Sequence, residues 1–345
     1  MTEGPRKKRS LGRGMGDLVG DTLESLVRGV PAREPPRPEA GRCPTADSPP
    51  EAGEDLAPGG SPGRAWARVF AVASGKGGTG KSVLAVNLAA AMAADMKVCL
   101  IDADMGLANA HILMGLLPRY DVSHLIAGVR RLEEVVLRGP RGTLLLPGAS
   151  GVPEMACLDD SSLERFAAAA APLLERCDAA ILDCPSGLSR QSLLLLHGAD
   201  VVIVVTTDDL TAMTDAYALI KTLTIHRPQA AVGLVVNGSR SASEGADTFR
   251  KIAHVARKFL GRDLLSLGTI PRDPLLERSV PERQPVVLGH PSSPAARAIE
   301  EIARRIVALE GLEAAIGFPD RLRRTLTASA VATAAGSGNG GHRCA

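Results

Sequence analysis

Residues 74–82 read SGKGGTGKS. All nine are Ser, Gly, Lys or Thr, and they separate ARVFAVAS (67–74) from SVLAVNLAAAMAA (82–94). The first run is short, apolar and β-branched, as a buried strand is, while the second has helical spacing. Gly75, Gly80, Lys81 and Ser82 fit G-x-x-x-x-G-K-[ST]. Glycine gives the backbone access to positive φ and lets amide N–H groups come close to a phosphate. A helix starting at the loop adds the positive end of its dipole. In this pattern Lys81 reaches the β- and γ-phosphates and the Ser82 hydroxyl binds Mg²⁺. Gly75, Gly77, Gly78, Thr79, Gly80, Lys81 and Ser82 are therefore the expected phosphate cradle.

The same alternation continues outward from the loop. KVCLIDAD, TLLLPG, AAILDCP, DVVIVVTT, AVGLVVNG and LLSLGTI are further short apolar runs. Helical stretches separate most of them, at 161–176, 209–225, 245–260 and 295–310. Buried strands alternating with helices predict an α/β fold, a mostly parallel sheet with helices on both faces. Crossovers should be right-handed.

Composition bounds the rest. The 345 residues are 45% apolar but only 2% aromatic, so the core is built from Ala, Leu, Val and Ile. A net charge of +2 marks no dedicated nucleic-acid or membrane class. Six scattered cysteines form no C-x-x-C pair and read as reduced thiols. Neither a secretory leader nor a run long enough to span a membrane is present, so a cytoplasmic protein is expected. Residues 1–66 are rich in Pro, Gly and charge and are expected to be a disordered tail and linker. Residues 67–310 form the expected nucleotide-binding domain, and 311–345 a short amphipathic segment followed by a disordered tail.

Carboxylates end two of the strands. Asp102 and Asp104 close the second one, two residues apart and so on one face. Ligands of open α/β sheets bind at that edge. Asp183 ends the other, AAILDCP, at the position that binds Mg²⁺ through water. Asn237 ends GLVVN and, read alone, belongs to an Asn-Gly turn.

Lys76 has no role in an ordinary phosphate loop. The stretch K-G-G-T-G-K-S resembles the deviant Walker A motif of the MinD/ParA family, and the likeness covers roughly residues 68–308. It implies a P-loop NTPase fold of the SIMIBI type, ATP and Mg²⁺ as ligands, and an ATP-dependent homodimer with slow turnover. In such a dimer Lys76 crosses to the partner's nucleotide. By the same resemblance Asp104 aligns the attacking water, Asp102 holds the water shell of the magnesium, and Asn237 reads the adenine edge. DADMGLANAHILMGL, LLLPGASG, TTDDLTAMTDAYALIKTL and the stretch from SLGTIPRDP onward resemble the flagellar FlhG (FleN/YlxH) branch most closely. That branch controls flagellar number or placement, and its partners are an FlhF-like GTPase or a flagellar switch component.

Departures keep other readings open. DCPSGLS replaces the branch's usual D-T-G-A-G-I, and TTDDLT replaces T-T-P-E-P-T. The D-Q-A-x-x-L-R peptide that stimulates FlhF is missing. KKRSLGRGMGDLV instead resembles the start of ParB-type proteins, which makes Arg9 and Arg13 candidates for stimulating an NTPase in trans. A partition or positioning ATPase of ParA type, which would bind nonspecific DNA with ATP, is one alternative. The pI of about 8.3 supports nucleic acid as a partner only weakly. A nucleotide-gated binding module with little hydrolysis is another. Near the C-terminus, Phe318, Leu322 and Leu326 with Arg321, Arg323 and Arg324 form either a one- to two-turn membrane-touching helix at the inner face of the membrane or a docked terminal helix.

Overall fold

The strands around the glycine loop are apolar except at their ends, which requires cover on both faces. The structure, a computed structural model, describes residues 66–310 and 316–337. Its strands are β1 (Arg68–Ala73), β2 (Val98–Asp102), β3 (Leu137–Arg138), β4 (Leu144–Leu146), β5 (Ala179–Asp183), β6 (Val201–Thr206), β7 (Ala231–Ser239) and β8 (Leu265–Pro271). They form one sheet in the order β3-β4-β2-β5-β1-β6-β7-β8. All pairings are parallel except β3 with β4. The expected α/β architecture is present. The two-residue antiparallel edge strand β3 is too short to leave a periodic signal and was not expected.

The longer helices are α1 (Lys81–Met92), α2 (Asp160–Arg176), α3 (Arg190–Gly198), α4 (Leu210–His226), α5 (Ala242–Leu260), α6 (Pro294–Val307) and α7 (Phe318–Ser337). Two cores follow from the alternation of side chains across the sheet. Phe70, Val72, Leu100 and Ile203 face α1 and α6. Val69, Ala71, Ile101 and Val202 face α2, α3, α4 and α5. The chain leaves β1 towards β2 with α1 on one face, and later leaves β5 towards β6 with α3 on the other. The crevice above β1 and β5 is therefore a topological switch point, where such sheets bind ligands.

Of the two forms expected for the C-terminal segment, the structure has the docked helix, and it is longer than expected. Phe318, Leu322 and Leu326 begin a helix of 20 residues, not one of one to two turns. All three side chains belong to the buried core, and α7 packs on α2 and α3. A β-carbon on Gly198 would come within 2.6 Å of the Phe318 ring. Arg321 locks the joint: it donates to the Gly198 carbonyl (2.7 Å) and pairs with Asp200 (3.0 Å), which also accepts from the Val69 amide (2.7 Å). Pro319 lies in the first turn, where the missing N–H costs nothing. The apolar face proposed for a membrane is thus spent on the domain itself. Among the described residues no helix is long and apolar enough to cross a membrane. Residues 1–65, with Arg9 and Arg13, and residues 311–315 and 338–345 lie outside the described residues, so the disorder expected in 1–66 and at the C-terminal end falls there.

Candidate functional site

The phosphate loop runs from the end of β1 into α1. Gly78 and Gly80 have φ of 80° and 88°, where a side chain would be strained. Gly75 is needed for close approach, since a β-carbon there would lie 2.2 Å from the Asp215 carbonyl oxygen on α4. The loop is also tied to the segment after β5: the Gly187 amide donates to the Ser74 carbonyl at 2.8 Å.

Lys81 opens α1 and is nearly buried. Its ammonium donates to Asp183 Oδ1 at 2.6 Å and to Ser82 Oγ at 3.2 Å, and lies 3.9 Å from Asp104 Oδ2. Burial works against that charge, but Asp183 more than offsets it and the Lys81 pKa lies above its ordinary value. Asp102 and Asp183 are register partners on β2 and β5, so the sheet sets the two carboxylates side by side. Asp183 Oδ2 is buried and makes no hydrogen bond to protein. That leaves one acceptor for a water on Mg²⁺, beside the Ser82 hydroxyl. Among the described residues no group of three His, Cys, Asp or Glu side chains forms a cage for a metal. This suits Mg²⁺, which takes few protein ligands and relies on water and phosphate oxygens. The residues present fit ATP with Mg²⁺.

Asp102 is held by backbone amides of the loop that follows β2. Its Oδ1 accepts from the Asp104 amide (3.2 Å) and its Oδ2 from the amides of Asn109 and Ala110 (3.0 Å each). Burial, and behind it the Asp183 charge, push this carboxyl up to about 7 despite those donors. In this structure Asp102 shapes the 103–110 loop from within, and Asp104, one quarter exposed, is the carboxylate left facing the crevice. Asn237 is also engaged: its Nδ2 donates to the Thr79 carbonyl at 2.8 Å, bracing the phosphate loop.

Lys76 stands on the rim, 43% exposed. Its ammonium donates to Thr211 Oγ1 (2.6 Å) and Asp209 Oδ2 (3.2 Å). Asp209 is the N-cap of α4 and accepts from the Thr211 amide at 2.9 Å. Sequence reasoning noticed TTDDLT only as a departure. The Asp-x-Thr cap at the start of a helical run was the signal that could have marked it. Three leucines, Leu107, Leu188 and Leu210, project from the same edge and are largely exposed.

Comparison with known proteins places this crevice. The model of the CobQ/CobB/MinD/ParA nucleotide binding domain matches residues 70–286. The chain belongs to that family. It is a MinD/ParA-type ATPase that uses ATP with Mg²⁺. Antiactivator FleN of Pseudomonas aeruginosa is 34% identical over 240 residues, covering 69% of this chain and 86% of FleN. The flagellum site-determining protein YlxH of Helicobacter pylori is 31% identical, covering 70% of this chain and 82% of YlxH. The solved septum site-determining protein MinD of Pyrococcus horikoshii, complexed with Mg-ADP, superposes with a TM-score of 0.60 at 24% identity. It covers 72% of this chain and 100% of its own, and shares the fold.

Proposed function

We propose that this ATPase is a dimerising switch that regulates flagellar number or placement. The observation that carries the dimer is the placement of Lys76: a cation beside the phosphate loop, on the rim, engaged only by surface groups of its own chain. Leu107, Leu188 and Leu210 are exposed at that edge and would supply apolar area to a second copy. Two copies closing on this face would bring each Lys76 to the other's triphosphate, where it offsets developing charge. Asp104 orients the attacking water for in-line attack. Lys81 holds the phosphates from within, Ser82 and Asp183 hold the magnesium and its water, and Asn237 borders the base. Loss of the γ-phosphate releases the loops after β2 and β5, and partner affinity falls with it. Turnover is slow until a protein partner completes the site.

The flagellar assignment is supported by the similarity to FleN and YlxH. Phe318, Leu322 and Leu326 are buried in this conformation and so are not available to a membrane. Sedimentation velocity tests the dimer: Asp104→Ala with Mg·ATP should pair, the same variant with ADP should not, and Lys76→Ala should stay single with either. A chain that stays single at saturating ATP overturns the switch. Counting flagella in a deletion strain, complemented by wild type or Lys76→Ala, tests the biological role. Unchanged flagellation overturns that part, and ATP-dependent binding to nonspecific DNA would point to partition instead.

A further inference from the structure

A second recess lies at the opposite end of the sheet from the nucleotide crevice, where α3 and α4 end and α7 crosses them. His197, His226, Arg227, Arg321 and Arg324 line a cavity of about 350 Å³ together with Thr325 and Ala328. A neighbouring cavity of about 500 Å³ shares His197, His226, Thr325 and Ala328 and extends along α3 to Arg190. Three arginines and two histidines thus converge on the first recess, and among the described residues no carboxylate lines either one.

The arginines differ in what they have to offer. Arg321 is fixed by the Gly198 carbonyl and by Asp200. Arg227 caps the end of α3 through the Ala199 carbonyl at 2.5 Å. Arg190 is paired with Asp160. Arg324, in contrast, makes no hydrogen bond or ion pair with the described residues. His226 faces the His197 ring, 6.0 Å between centroids. His197 Nε2 is buried and has no protein hydrogen-bond partner. Asp200, the carboxylate that pairs with Arg321, is already engaged there and by the Val69 amide.

Like charges gathered in a recess repel one another, and the groups here register it. Burial, then His226, then Arg227 push His197 down to about 4. Burial, then Arg321, lower Arg227 against the single opposing pull of Asp200. An anion would relieve both. Planar guanidinium groups give paired N–H donors that match phosphate oxygens. Fixed Arg227 makes part of such a site without further ordering cost, and the two adjoining cavities have the size of a small-molecule pocket.

We propose that this recess binds a soluble phosphate ester, held by Arg324, Arg227, His226 and His197, as a ligand distinct from the nucleotide. Because α3 begins directly after the loop that follows Asp183, the ligand occupies the far end of an element that starts at the nucleotide crevice. The proposal is independent of the flagellar reading.

The test uses the full chain saturated with Mg·ADP, so that the phosphate loop is filled. Glycerol 3-phosphate and inorganic phosphate are titrated while histidine side-chain NMR signals and calorimetric heat are followed. Saturable binding with shifts at His197 and His226 is expected. His226→Ala combined with Arg324→Ala should weaken it at least about tenfold, as loss of charge-assisted hydrogen bonds does. Arg323→Ala, whose side chain pairs with Asp320 on the outer face, should leave it unchanged. ADP affinity should be the same in all three proteins, which separates this site from the nucleotide site. No saturable binding, binding that survives the double substitution, or binding to phosphatidylglycerol vesicles without binding to either soluble phosphate would overturn the proposal.

Discussion

The Lys76 ammonium lies 3.2 Å from the Asp209 carboxylate of its own chain, across 133 residues of sequence. The lysine that a dimer would use is therefore parked in cis before the dimer forms. Asp209→Asn keeps the helix cap but removes the charge that holds Lys76. An exposed ion pair is weak, so the expected gain is small: the protein concentration for half-dimerisation with Mg·ATP falls about two- to fivefold. Sedimentation equilibrium of the Asp104→Ala background with and without Asp209→Asn measures it. A rise in that concentration would show that Asp209 serves the dimer and does not oppose it.

Removing Asp183 leaves the nearly buried Lys81 ammonium with only a distant carboxylate. Asp183→Ala should destabilise the nucleotide-free protein by about 3–5 kcal/mol, the cost of breaking a buried pair. Replacing both members, Lys81→Met with Asp183→Leu, should recover most of that loss while abolishing ATP binding. Urea unfolding of the three proteins decides it. Equal losses in the single and double variants would mean that packing, not the stranded charge, sets the cost.

Phe318 fills the space that Gly198 leaves by lacking a side chain. Phe318→Ala should cost about 3–5 kcal/mol, as other large-to-small core changes do, and lower the melting temperature of the whole domain. A helix that is only loosely docked would show little change in thermal unfolding and a gain in vesicle binding.

His197 supplies a pH signature. Its folded pKa is depressed, to about 4, so its contribution to stability is present above the ordinary histidine range near 6.5. That contribution is lost as pH falls through about 4. The charged neighbours responsible are His226 and Arg227, with Arg321 and Arg324 lining the same recess. Wild type should therefore lose more melting temperature between pH 6.5 and 4 than His197→Gln does, and added phosphate should reduce the difference. Parallel melting curves for the two proteins would show that His197 is not held neutral by the fold.

The sequence by itself determined the nucleotide fold. Seven of the eight strands among the described residues, and Lys81, Ser82 and Asp183, which meet in the crevice, were legible in it. The reason is that these are local signals: an apolar run needs only its own residues to be buried on both faces, and the phosphate loop is one continuous segment that must carry glycine at fixed offsets. What only the tertiary structure decided is which distant groups meet. Asp102 turned inward to loop amides, Asn237 braced Thr79, Lys76 found Asp209, and Phe318, Leu322 and Leu326 went to α2 and α3 and not to an outer surface. The recess around His197 arises the same way, from the ends of three helices far apart in the chain. Side chains of this kind carry no period of their own. Their partners are fixed by the order of strands in the sheet and by which face each helix covers, and both are properties of the folded whole.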